Sequence, residues 1–168
     1  MVMLDFAVTG LGRCRTAWFA AFLSDGKVSC PHEFGAHCDG PDGYADAVVP
    51  GKVSGVADTL IWLCDPIPAR RVLVIHRDCR EAEAFQRQMF GVNQDLSGLA
   101  ARLRDVDGLH VEFDEIDDRM PEIVRYLTGF EIDEARYQLF APLKIEVADP
   151  LACMPTADYW RDALCRQC

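Results

Sequence analysis

No stretch of the chain is long and apolar enough to span a bilayer. The first residues carry neither the basic start nor the long apolar middle of a secretory signal. No membrane partner is therefore expected, and the expected address is the cytoplasm. Positive charge is in short supply: 17 Lys and Arg stand against 27 Asp and Glu, a net charge of −10. A protein that grips nucleic acid needs a basic face to release counterions, so no nucleic-acid partner is expected. A local basic pocket for a small anion stays open. In a reducing compartment the eight cysteines should be thiols rather than disulfides. Internal repeats, low-complexity segments and a break in composition are also missing, and 168 residues suit a single domain over 1–168.

What the chain does have is alternation. Residues 2–9 read as a strand, 16–23 as a helix ending near Asp25-Gly26, and 27–30 as a short second strand. A loop rich in Gly, Pro, Asp and His follows over 31–51, long enough to suggest a functional role. Residues 59–65 read as a short helix. Arg71–His76 is a β-branched run of the kind buried on both faces of a parallel sheet. Helical patterns over 80–90 and 96–103, a strand over 109–113 and a helix over 121–127 stopped by Gly129 complete the series. Residues 130–168 should add one or two helices, with Tyr159-Trp160 packed on the core. The pattern predicts a three-layer α/β fold of P-loop-like type, its central sheet mainly parallel.

The chemistry-bearing stretch is GLGRCRTAWF, residues 10–19, between the first strand and the first helix. A glycine turn leading into a helix N-terminus leaves backbone N–H groups free beside a positive dipole end, which suits an anion. Arg13 and Arg15 add bidentate donors matched to phosphate or sulfate, and Thr16 can cap the helix or reach an anion oxygen. The plainer alternative is an ordinary β–α turn with solvated arginines. The stretch is not a Walker A loop, which ends Gly-Lys-Ser/Thr; Arg15-Thr16-Ala17 stands there with no lysine.

Gly12-Arg13-Cys14-Arg15-Thr16-Ala17-Trp18 resembles the 5′-phosphosulfate loop of the sulfotransferases, with Arg13, Thr16 and Trp18 at matching positions and Cys14, Arg15 and Ala17 departing. A second segment, His76-Arg77-Asp78-Cys79-Arg80-Glu81, resembles the family's Arg-Asp-Pro-Arg-Asp after a core strand, with Arg77 at the arginine that holds a 3′-phosphate. The family's partner serine falls at Phe85, which has no hydroxyl to offer. Glu33 stands where bacterial members place a glutamate base, and VEFDEI followed by MPEIVRYLTG echoes their later acidic strand end and helix. The resemblance covers about residues 3–130.

It implies a donor, 3′-phosphoadenosine 5′-phosphosulfate (PAPS), and a small-molecule acceptor carrying a hydroxyl or amine. Gly12 to Ala17 would hold the donor's 5′ end, Arg13 would neutralise the leaving phosphate, Arg77 would meet the 3′-phosphate, and Glu33 would take the acceptor proton, with His32 and His37 as alternatives. The acceptor would sit among 31–57 and 86–104. A second expectation is an inactive nucleotide- or anion-binding protein on a degenerate P-loop scaffold, which Arg15, Ala17 and Phe85 favour. A nucleotide or small-molecule kinase is a third, opposed by the missing lysine. Asp58-Thr59 reads as a helix N-cap. Cys30, His32, His37 and Cys38 lie within nine residues, in a spacing that matches no common zinc motif, and Cys165 and Cys168 form a CxxC at the C-terminus; a reduced, metal-free loop is expected, with no metal.

Overall fold

The computed structural model describes residues 3–144 apart from 39, 61, 62, 64 and 92. Strands β1 (Phe6–Gly10), β2 (Val28–Ser29), β3 (Val53–Ala57), β4 (Val72–His76) and β5 (Leu109–Glu112) form one sheet in the order β2-β3-β1-β4-β5. Every pairing in it is parallel; Val8 of β1, for example, lies between Ala57 of β3 and Leu73 of β4. Helices α1 (Thr16–Leu23), α2 (Cys79–Phe90), α3 (Ser97–Asp105), α4 (Met120–Thr128) and α5 (Glu134–Phe140) flank the sheet. This is the three-layer, P-loop-like α/β fold that the alternation of elements predicts. The centre of the sheet explains its composition: all five residues of β1, and Val72 to Ile75 of β4, are buried, as strands covered on both faces must be.

Several boundaries differ from the sequence reading. The first strand begins at Phe6, with Leu4 making only an isolated bridge to Ala69. The loop over 31–51 carries two 3-10 turns, Phe34–His37 and Pro41–Ala47. β3 was not anticipated at all. Its central Gly55 pairs with Phe6, and a Cβ there would come within 2.4 Å of the Phe6 ring, so glycine makes room for the aromatic. Of the helix expected over 59–65, residues 61, 62 and 64 lie outside the described set. So do the Tyr159-Trp160 packing and the Cys165–Cys168 pair. The helices expected over 80–90, 96–103 and 121–127 appear as α2, α3 and α4.

α1 is apolar almost all round because it is covered twice, by the sheet on one side and by α5 on the other. Trp18 and Phe22 meet Tyr137 and Phe140 of α5 at centroid separations of 5.7–6.4 Å. Arg136 donates from Nε to the Phe22 carbonyl and from Nη2 to those of Ala21 and Ser24, so a cation occupies the negative end of α1. Replacing Arg136 with Met keeps the stem and removes these donors. The expected loss is about 1–2 kcal/mol in denaturant unfolding, since charged hydrogen bonds contribute most when partly buried. An unchanged midpoint would show that the aromatic contacts alone hold α5.

Candidate functional site

In a parallel sheet, ligands bind outside the C-terminal strand ends where successive connections part in opposite directions. Here the chain leaves β1 toward β3 and β2, and leaves β4 toward β5. The crevice therefore opens between the ends of β1 and β4. The two segments singled out by sequence, 12–17 and 77–80, both begin there.

The loop after β1 is tight. A Cβ on Gly10 would lie 2.7 Å from Cys14 Cβ and 2.8 Å from the Ile75 carbonyl oxygen, so only glycine lets the loop fold back against β4. Arg13 (φ 66°) and Arg15 (φ 61°) both occupy the left-handed region, while Cys14 between them does not. Such alternation turns successive N–H groups to one side and makes an anion-binding concavity. It is also a sparsely populated state for arginine, the kind of strain that clusters at ligand sites. Gly12, by contrast, has ordinary φ and open space where a Cβ would stand. Cys14 is fully buried, and burial pushes its thiol up to about 12; only its backbone can face a ligand.

Arg77 crosses the crevice. Its Nη1 donates to the Arg13 carbonyl at 2.8 Å, its Nε to Glu81, and its guanidinium lies 4.2 Å over the Phe113 ring. Arg13 is exposed, with its guanidinium 4.6 Å over the ring of Phe85 on α2. Phe85 thus stands at the loop, half-buried, where a 3′-phosphate partner would need a hydroxyl. Arg15 is the N-cap of α1 without a side-chain cap bond; its Nη1 donates to Asp117 at 2.8 Å, and its plane covers Trp18. Ala17 is half-buried in the first turn. Thr16 is buried as the first helical residue rather than the cap, and its hydroxyl is 3.1 Å from His32 Nε2.

That contact leads into a buried polar cluster at the end of β3. His32 bridges to Ala57, and His32 Nε2 lies 3.3 Å from Glu33 Oε1. Glu33 is 7% exposed, sits in the left-handed region (φ 51°), and accepts from Thr59 N–H on Oε1 and from the Thr59 hydroxyl on Oε2. Asp58 is fully buried and accepts from Phe34 N–H and Gly35 N–H. Asp58 therefore caps the 3-10 turn at Phe34; the helix that the sequence has it opening lies partly outside the described residues. Two acids share this site. Burial first, then the Asp58 charge, pushes Glu33 up to about 8. Burial raises Asp58 to about 6 against its backbone donors, and burial lowers His32 to about 4. Near neutral pH, Glu33 is a carboxylic acid, Asp58 a carboxylate and His32 a neutral base. His37 is exposed and takes no part, and Cys38 Sγ donates to the Phe34 carbonyl. Among the described residues no three His, Cys, Asp or Glu side chains group as metal ligands do.

Sequence reasoning gave Asp58 a different role and did not single out Asp117 or the pairing of His76 with His110. Asp58 looked like a local cap because nothing local shows that β3 carries it beside Glu33. Asp117, a hundred residues from Arg15, gives no signal. His76 and His110 form a stacked pair: His110 Nε2 donates to the Val106 carbonyl, so its Nδ1 accepts from His76 Nε2 at 2.7 Å. Burial and then His110 hold His76 below its usual range.

No family model matches the chain, and no curated protein or solved structure is significantly similar to it. The class rests on fold and site: a parallel α/β protein with an arginine-bearing loop at its switch point. Among the described residues no helix is long and apolar enough to cross a membrane.

Proposed function

We propose that this chain binds the phosphosulfate end of PAPS in the loop over Gly12 to Ala17 and transfers its sulfuryl group to a small hydroxyl or amine acceptor. The observation that carries the reading is the Arg77 to Arg13 hydrogen bond across the β1/β4 crevice. It joins two segments, 64 residues apart in sequence, that a donor spanning both phosphates would need side by side. In the transfer, the acceptor oxygen or nitrogen attacks sulfur, the bond from sulfur to the phosphate oxygen breaks, and adenosine 3′,5′-bisphosphate leaves. Arg13 and the loop amides stabilise the charge gathering on that leaving phosphate. The acceptor proton goes to a base of the His32–Glu33 pair: His32 is in its basic form at neutral pH, and Glu33 becomes basic only above about 8.

The residues fit the two ends of the donor unequally. The loop suits the 5′ end, whereas Phe85 offers the 3′-phosphate a ring in place of a hydroxyl. That observation favours a second reading, an anion- or nucleotide-binding protein without turnover. Calorimetric titration with adenosine 3′,5′-bisphosphate and adenosine 5′-phosphate, on the natural chain and on Phe85→Ser, separates the two. Binding of both nucleotides is expected, with the preference for the bisphosphate rising roughly tenfold or more in Phe85→Ser, because a regained charged hydrogen bond is worth about 1.5–3 kcal/mol. Release of labelled sulfate onto an acceptor from PAPS then marks the enzyme. Binding of neither nucleotide would sink both readings.

A further inference from the structure

Arg15 has its guanidinium engaged by a carboxylate of the protein itself. Its side chain is only 19% exposed, held between the Trp18 ring below and the Asp117 carboxylate at 2.8 Å. Asp117 lies in the turn between the 3-10 turn at Phe113–Glu115 and α4. The same Oδ1 that takes Arg15 Nη1 also accepts the Tyr137 hydroxyl at 3.2 Å. Tyr137 is fixed in turn, because α5 is clamped on α1 by Arg136 and the aromatic cluster. A carboxylate is thus built in at the mouth of the loop, engaging a nitrogen that a bidentate grip on an oxyanion would use.

We propose that Asp117 is a resident counter-anion of the loop, held there by Tyr137, which an incoming phosphate or sulfate must outcompete for Arg15. This rests on the anion-loop reading above and deepens it: Asp117 sets the affinity of the site. Two consequences of charge follow. The empty loop has part of its positive charge already answered, which offsets the strain of two arginines in left-handed conformations. A ligand carrying two or more negative charges gains Arg15 only by leaving Asp117 with Tyr137 alone and by approaching a like charge. A weakly charged anion cannot do this, so the contact selects for dianionic groups.

The test compares Asp117→Asn with Asp118→Asn. The two residues are neighbours and both exposed, but the contact with Arg15 belongs to Asp117. The substitutions remove the same formal charge almost at the same place. The whole chain is titrated with adenosine 3′,5′-bisphosphate by calorimetry at two ionic strengths. Asp117→Asn is expected to bind three- to tenfold tighter than the natural chain, and Asp118→Asn within a factor of about 1.5. The gain in Asp117→Asn should persist at the higher salt, because a contact within hydrogen-bond distance is screened less than a distant charge. Equal gains from both variants would reduce the effect to general acidity and overturn the proposal. Unchanged affinity in Asp117→Asn, with the natural chain binding, would overturn it while leaving the anion loop standing. No binding by any form would overturn the anion loop and this inference together.

Discussion

Glu33→Gln is expected to stabilise the protein at pH 8 and to remove a fall in stability that the natural chain shows between pH 6.5 and 8. Glu33 rises from 4.5 in the unfolded chain to about 8 in the folded one. Between those values the folded state holds the proton more tightly, so stability declines as pH climbs, until both states are ionised. At about 1.4 kcal/mol per unit, the whole window is worth on the order of 3–5 kcal/mol. Other groups shape the lower part. Asp58 adds a decline between 3.8 and about 6. His32, lowered from 6.5 to about 4, contributes the opposite slope, because there the unfolded state binds the extra proton. Above about 7 Asp58 has largely finished titrating, but His32 and His76, both lowered from 6.5, keep a small opposite slope up to about 7.5, against which the Glu33 decline dominates up to about 8. Beyond about 8.5 the buried Cys14 and Cys30 begin a decline of their own, as unfolded thiols ionise while these do not. Gln at 33 keeps an acceptor for Thr59 N–H and cannot ionise. Urea unfolding at pH 5, 6.5, 7.25 and 8 reads the effect directly. The natural chain should lose about 1 kcal/mol from 6.5 to 8, and Glu33→Gln should lose none and gain slightly from the histidines. Parallel declines in both proteins would show that Glu33 is already ionised in the fold, and would return it to the role of a base at neutral pH.

The sequence made some of this site legible and hid the rest for identifiable reasons. β4 was plain because four consecutive apolar residues, Val72 to Ile75, read as a doubly buried strand. The glycine turn before Thr16 was plain because strand, turn and helix start follow without a gap. β3 was hidden because VSGVA is small and broken by Gly55, and the reason for that glycine, the Phe6 ring on the neighbouring strand, lies 49 residues away. Glu33 could be found from its place in the chain, but its state could not. That state depends on its burial first and then on Asp58, which only the parallel register of β3 brings beside it. The same holds for the loop. Sequence set Arg13 at the matching basic position and Arg15 among the departures but could not place either side chain; in the fold Arg13 is exposed above Phe85, while Arg15 is tucked between Trp18 and Asp117. Local pattern reports which elements form, and long-range pairing decides what each side chain can do.

That difference bears on the second large effect, at Arg13. Arg13→Ala should weaken binding of adenosine 3′,5′-bisphosphate about 10- to 100-fold, the loss of one charge-assisted contact worth about 1.5–3 kcal/mol. The fold should survive. The bond that ties the loop to β4 runs from Arg77 to the Arg13 carbonyl, a backbone group that the substitution keeps. The side chain is exposed, and the contact it gives up over Phe85 is worth about 0.5–1 kcal/mol for an exposed cation–π pair. Alanine inherits the strained φ of 66° as arginine does, so the backbone cost is similar before and after. Arg13→Gly separates the two contributions, because it removes the guanidinium and relieves the strain at once. If charge is what the loop uses, both variants bind equally poorly and the glycine form is the more stable. If the left-handed backbone is what presents the amides, Arg13→Gly loses more than Arg13→Ala, since the loop no longer holds its shape without ligand. Affinity unchanged in both would remove Arg13 from the site and leave Arg77 as the cation facing the crevice.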